Sequence, residues 1–237
     1  MMSRLAVLPR RIVKAILPAK VVAEIRQRRM VRAGRKTMDR PEVLHDFWRQ
    51  PMPPGNSSHD YIGPVGRSHV LLELISDLPK TARILEVGCN VGRNLAYLHD
   101  NGYRHVEGVE INPHAVERLR TTYPQLADVP IHLGPAEEVL PGLPDDGYDL
   151  VYTMAVLEHI HPDHSMVFDE IARVGRSVLA IEPPGGVSHR QFPHDIPKVF
   201  TARGLCLVSS RSMADFPKTA DDKAIAKYSA FRFNRPD

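Results

Sequence analysis

Arg83-Ile-Leu-Glu-Val-Gly-Cys-Asn-Val-Gly-Arg-Asn94 is the stretch whose reading decides the fold. Its apolar run, Ile84–Val87, has the length and composition of a buried parallel strand. Gly88 and Gly92 follow, and Leu95-Ala-Tyr-Leu98 then starts a helical period. Strand, glycine turn and helix together bring a ligand against bare backbone at a helix N-terminus. A dinucleotide fingerprint, G-x-G-x-x-G, needs glycine where this chain has Asn90. Glu86 gains nothing beside a pyrophosphate and suits a ligand that carries positive charge.

Working outward, strands and helices alternate, which predicts a right-handed parallel α/β sheet. An amphipathic helix is expected over residues 67–78, with Pro79 ending it. After the glycine loop, a helix from about Arg93 stops at Asn101-Gly102. The next strand, residues 105–111, ends in Glu110, and Asn112 caps a helix with Pro113 in its first turn. Glu110 lies about twenty residues past Gly88, the spacing of an acid that takes a ribose diol. Further strands are expected at residues 130–133, 150–154, 177–182, 205–209 and 230–233. Residues 199–204 complete a helix and its stop, and the loop 183–194 lies beyond a strand's carboxyl end, where ligands bind.

The segment Glu86-Val-Gly88-Cys-Asn-Val-Gly92 resembles the first motif of class I S-adenosylmethionine-dependent methyltransferases. Glu110, Gly134-Pro-Ala-Glu-Glu138 and Tyr148-Asp-Leu-Val followed by Ala155-Val-Leu-Glu-His-Ile160 stand in that family's order and spacing. The resemblance spans roughly residues 67–210 and is strongest to the small-molecule, type 11-like branch. It implies a Rossmann-like doubly wound, mostly parallel seven-stranded sheet with helices on both faces and an antiparallel terminal strand. It also implies S-adenosylmethionine as cofactor, held by Glu86, Gly88, Cys89, Asn90, Gly92, Glu110, Ile111, Ala136, Glu137 and Met154. Pro135 takes the place of the family's usual adenine-binding acid, which leaves Ala136 N–H and the Glu137 carboxylate to serve the adenine.

Methyl transfer from a sulfonium is an in-line displacement, in which the protein supplies alignment and a deprotonated nucleophile. His159, a few residues past the fourth strand, is the expected base for a hydroxyl acceptor, although a histidine that only fixes the turn fits the same position. Glu158-His159 matches part of a metal-binding pattern in some quinone-precursor O-methyltransferases, but Ala155 replaces the further acid. No metal is expected, and a cluster of His159, His161, Asp163 and His164 lacks a third fixed ligand. Tyr61, His189 and Arg190 are the expected substrate contacts. The acceptor implied is a small molecule or a glycolipid, methylated at oxygen. A protein or RNA methyltransferase, a module that binds the cofactor without turnover, and a nicotinamide-dependent oxidoreductase are the alternatives.

Three regions are expected: an N-terminal arm over 1–37, a Pro/Gly-rich connector or lid over 38–66, and the cofactor domain over 67–237. Of the 31 basic and 28 acidic residues, eleven basic and one acidic lie in 1–36, so the arm carries +10 and the remainder −7. A basic amphipathic arm suits peripheral contact with an anionic membrane; a solvated tail or a helix packed on the domain fits the same residues. The acidic body argues against a nucleic-acid partner. Cys89 and Cys206 provide no disulfide framework, and no 18-residue apolar run is present. The expected location is cytoplasmic, with peripheral contact at the inner membrane surface.

Overall fold

The computed structural model describes residues 39–51, 61–63, 66–186, 188–216 and 225–236. The arm, residues 1–37, and the Pro-rich part of the connector, residues 52–60, lie outside the described residues. Five strands run parallel: β1 (Ile84–Val87), β2 (Val106–Glu110), β3 (Ile131–Leu133), β4 (Leu150–Met154) and β5 (Ser177–Glu182). A further pair, β6 (Cys206–Ser212) and β7 (Ser229–Asn234), completes the sheet, with β7 antiparallel to both β5 and β6. The strand order is β3-β2-β1-β4-β5-β7-β6. This is the doubly wound, mostly parallel seven-stranded sheet expected from the sequence.

Parallel strands are buried on both faces, which is why β1, β4 and β5 read as near-continuous apolar runs. Side chains alternate between the faces. Ile84, Leu150 and Leu179 pack on one side with Val70 and Leu71 of α2 (Gly66–Leu74) and with Leu95 and Leu98 of α3 (Arg93–Asp100). Leu85, Val151 and Val178 face the other way, against Phe168 and Ile171 of α6 (Met166–Val174) and Phe200 of α7 (Ile196–Thr201). Between these elements lie α4 (Pro113–Thr122), capped as expected by Asn112, and the single turn α5 (Ala136–Val139).

Two expected elements differ in extent. The helix expected over 67–78 ends at Leu74, because the chain tightens into turns whose carbonyls are taken elsewhere. Ile75 O and Leu78 O accept the buried Tyr103 hydroxyl at 3.0 and 3.3 Å. The connector contains a helix that composition alone did not indicate, α1 (Pro41–Trp48), with proline at its first position and Glu42 in its first turn. No helix among the described residues is long and apolar enough to cross a membrane.

Gly92 requires a correction. It caps α3 at φ +75°, and a Cβ there would lie 2.5 Å from Leu119 Cδ1. Its bare Cα therefore admits α4 and the core beneath the loop rather than a ligand, and it does not line the cavity described below. Replacing Gly92 by alanine combines left-handed backbone strain with overpacking. Gly92→Ala is expected to cost about 2–4 kcal/mol of stability, read as a lower urea midpoint at unchanged slope.

Candidate active site

The carboxyl ends of β1, β2, β3 and β4 open onto one cavity of ≈ 210 Å³, with a smaller annex beside Gly88. Gly88 turns the chain out of β1 at φ +77°, and a Cβ there would meet Val156 Cγ2 at 2.5 Å. Asn90 follows in the left-handed region at φ +49°, a conformation asparagine tolerates better than most residues. The loop is then fastened to the next strand: Asn90 N–H donates to Glu110 Oε2 at 2.7 Å, and Asn112 N–H to Glu110 Oε1 at 2.8 Å. Each oxygen keeps a further lone pair for a diol. Burial raises the Glu110 pKa, and the N–H donors of Asn112, Asn90 and Ile111 oppose the shift.

The annex is built for a zwitterion. Glu86 is 3% exposed; its Oε1 accepts from Asn94 Nδ2 at 3.0 Å, and its Oε2 is buried without a partner. Arg67 and Arg93 line the same space, and Arg93 Nε is also buried without a partner. An ammonium against Glu86 and a carboxylate against the arginines would complete both sets. The amino-acid end of S-adenosylmethionine has that pair of charges, so the residues fit the cofactor. Ser68 Oγ donates to Asn94 Oδ1 at 2.9 Å and holds the amide in register from α2.

Met154, Ala155 and Val156 form the opposite wall. Ala155 is held at φ +57°, with its N–H donating to Ile181 O at 2.9 Å. Glu182, at the end of β5, accepts Thr153 Oγ1 at 2.8 Å and the amides of Val156 and Leu157, both at 3.2 Å. That carboxylate holds the strained turn that delivers the 3₁₀ segment Leu157–His159 to the cavity. His159 Nδ1 lies 2.9 Å from the Arg190 carbonyl, an acceptor only, so Nδ1 carries the proton and Nε2 the lone pair. Burial lowers the His159 pKa, against the raising effects of the Arg190 carbonyl and Glu158.

Above this wall lies α1. Trp48 packs against His159 with ring centroids 4.6 Å apart and planes inclined by 55°, and Leu44 and Pro41 continue the apolar roof. The expected cofactor residues Glu86, Gly88, Cys89, Asn90, Glu110, Ile111, Ala136, Glu137 and Met154 all line the cavity or its annex, as do Tyr61 and His159. The Cys89 thiol itself turns into the core, where burial pushes its pKa up. His189 and Arg190 do not line the cavity and are corrected. His189 O accepts Asp39 N–H at 3.0 Å, and the Arg190 guanidinium covers the Phe47 ring at 3.7 Å, so both latch α1 from outside.

Glu137 also departs from expectation. Its Oε1 lies 2.7 Å from both His45 Nε2 and His164 Nδ1, so that oxygen does not face an adenine. The residues missed from sequence are Arg67, Arg93, Leu44 and His45. Only α1 had a local signal, the proline-led run Pro41-Glu-Val-Leu.

Burial pushes the Glu86 pKa up to about 7, while the Asn94 hydrogen bond, the neighbouring Tyr152 hydroxyl and the charge of Arg93 pull it down. A raised carboxyl favours folding below its unfolded pKa, and that contribution is lost as pH rises through about 7. Binding an ammonium has the opposite sign, because it needs the ionised form. Cofactor affinity is expected to rise about tenfold between about pH 6 and pH 8, with proton release on binding. Titration calorimetry in buffers of different ionisation enthalpy measures this, and Glu86→Gln should flatten the dependence.

Residues 85–178 match the family profile described as a methyltransferase domain. No curated protein sequence matches the chain. Among solved structures, magnesium protoporphyrin IX methyltransferase (ChlM) from Synechocystis PCC 6803 with bound SAM aligns at TM-score 0.61 and 17% identity, over 84% of this chain and 98% of that one. A TehB-like SAM-dependent methyltransferase from Corynebacterium glutamicum aligns at TM-score 0.55 and 19% identity, over 83% and 100%. Haemonchus contortus phosphoethanolamine N-methyltransferase 2 aligns at 0.64 and 14%, over 82% and 61%. At these identities the neighbours show a shared fold. With the matching profile and a cleft whose charges fit the cofactor's two ends, the chain carries a class I S-adenosylmethionine-dependent methyltransferase domain.

Proposed function

We propose that this methyltransferase acts on the hydroxyl oxygen of a small-molecule or glycolipid-type acceptor. The observation that carries this reading is His159, whose proton is committed to the Arg190 carbonyl at 2.9 Å. Its Nε2, 3.7 Å from Glu158 Oε1, thereby keeps the lone pair, and the residue lines the cavity. A sulfonium needs no acid to leave, and an amine or thiol acceptor needs little help from a base. A neutral imidazole with a lowered pKa is of most use to a hydroxyl.

When bound, S-adenosylmethionine supplies the methyl group and leaves as a neutral thioether. Glu86, Arg67 and Arg93 hold its amino-acid end, and Glu110 holds its ribose. Met154 and Ala155 border the region between that end and His159. His159 Nε2 takes the acceptor's proton as the new oxygen–carbon bond forms. Trp48, Leu44 and Pro41 exclude water above the reaction and offer an apolar surface to the acceptor. A roof this close over the cavity favours a small acceptor over a folded protein or an RNA. The basic arm, outside the described residues, suits an acceptor met at an anionic membrane.

Labelled methyl transfer into fractionated extract tests the acceptor class. Label in the organic-soluble or small-molecule fraction supports the reading, and label confined to protein or RNA sinks it. On the isolated acceptor, His159→Gln is expected to lower kcat by about 10²–10⁴-fold while cofactor affinity is retained. Wild-type kcat/KM should fall on the acid side, below the ordinary imidazole range, as His159 protonates. An acid limb that persists in His159→Gln would exclude it as the base.

A further inference from the structure

His45 stands on α1, Glu137 in the first turn of α5, and His164 at the end of the 3₁₀ turn Pro162–His164. These three chain segments meet at a single carboxylate oxygen. Glu137 Oε1 lies 2.7 Å from His45 Nε2 and 2.7 Å from His164 Nδ1. The side chains are only 19%, 12% and 26% exposed for His45, Glu137 and His164. One ligand atom from each lies within 4.8 Å of the others, the only such group of three or more among the described residues.

The contacts are not ordinary hydrogen-bonded ion pairs. Glu137 Oε1 is shut off from solvent, yet neither ring nitrogen is aligned to hydrogen-bond it. Elsewhere in the protein a histidine–glutamate contact of similar length does form a hydrogen bond, between His132 Nε2 and Glu107 Oε2 at 2.9 Å. In the His45–Glu137–His164 group, a buried acceptor and two imidazole nitrogens face a common point without satisfying one another. That arrangement leaves a net attraction for a cation.

We propose that His45, Glu137 and His164 form a binding site for a divalent transition-metal ion of the zinc class, and that this ion clips α1 onto the cavity wall. Two imidazoles and one carboxylate suit zinc and its first-row neighbours, whereas magnesium and calcium prefer all-oxygen sites. Ligand atoms around tetrahedral zinc sit about 3.3 Å apart. The contacts at 2.7 Å need to open by only about half an ångström, a side-chain adjustment. All three residues line the main cavity, so a fourth coordination position faces the acceptor space. Only His45 belongs to the roof, so the ion joins the roof to the domain. This goes beyond the acceptor assignment and departs from the sequence expectation of no metal, where only His164 was considered. The other members of the cluster weighed and set aside from sequence do not converge: His161 Nδ1 pairs with Asp163 at 3.5 Å, and His159 with Arg190 O.

The test uses the full chain, stripped with chelator and without any methyl acceptor, so it reads metal binding alone. Cobalt titration of the wild type is expected to give intense visible bands of low-symmetry four- or five-coordinate cobalt at one equivalent. Zinc at about a hundredfold over its Kd should raise Tm by about 5–10 °C. His45→Gln and His164→Gln should each weaken zinc by at least about 100-fold, a loss at or beyond the outer-shell range. The exposed His114→Gln should bind as wild type. Weak six-coordinate cobalt bands with no zinc-dependent Tm shift in the wild type would overturn the site, even if the variants failed to fold. So would folded His45→Gln and His164→Gln proteins that bind zinc as tightly as wild type.

Discussion

The carboxyl edge of the sheet depends on three buried carboxylates, Glu86, Glu110 and Glu182, at the ends of β1, β2 and β5. Burying an ionised carboxylate costs several kcal/mol unless donors surround it. Glu110 and Glu182 meet that cost with backbone amides, and in doing so they determine where the adjoining loops run. Glu110 draws Asn90 and Asn112 to one point, so the glycine loop and the entry of α4 share an anchor. Glu182 draws in Val156 and Leu157, which holds Ala155 in its left-handed turn. Glu86 alone is left half-satisfied, with Oε2 unpartnered. Burial raises its pKa, as it raises that of Glu182. The two fully bonded carboxylates thus shape the cavity, and the third lines its annex.

The second layer of the site is held from outside. The loop after β5 does not touch the reacting space through the side chains of His189 or Arg190. It acts through main chain and clamps: the Arg190 carbonyl sets the His159 tautomer, and Phe192 N–H donates to Glu158 O at 2.7 Å. Gln191 Nε2 donates to Glu158 Oε2 at 2.8 Å, which fastens the same 3₁₀ turn. The Arg190 guanidinium then closes over Phe47 and ties α1 to that loop. His159 and the roof are therefore coupled through one arginine. A rotation of α1 would move Trp48 off His159 and loosen the backbone that fixes its proton.

Legibility in the sequence followed the range of the interactions. β1, the Gly88 turn, the Asn112 cap with Pro113, and Glu110 were readable because their causes lie within a few residues or one βαβ unit. The roles of Gly92 and Arg190 were misread because each depends on partners far along the chain: Leu119 and Leu126 beneath the first, Phe47 beneath the second. Sequence indicates that a glycine is needed, but not what its missing Cβ makes room for. Arg67 and Arg93 escaped notice for a similar reason, since basic residues at helix starts give no sign of pointing inward. The Pro-rich composition of the connector concealed α1, although its first turn already carried a proline and an acid.

Glu137 shows how far such reading reaches. Its position after Gly134-Pro-Ala associates it with the adenine turn, and Ala136 beside it does line the cavity. The direction of its carboxylate is decided by His45 and His164, which sit 92 positions before it and 27 after it. Neither histidine belongs to a metal-ligand spacing with the other, so no motif search would join them. They meet because Glu182 fixes the turn after β4 and the Arg190 latch holds α1 down. The same buried acids and clamps that assemble the methyl-transfer site therefore bring together a second constellation, one whose chemistry the first does not require.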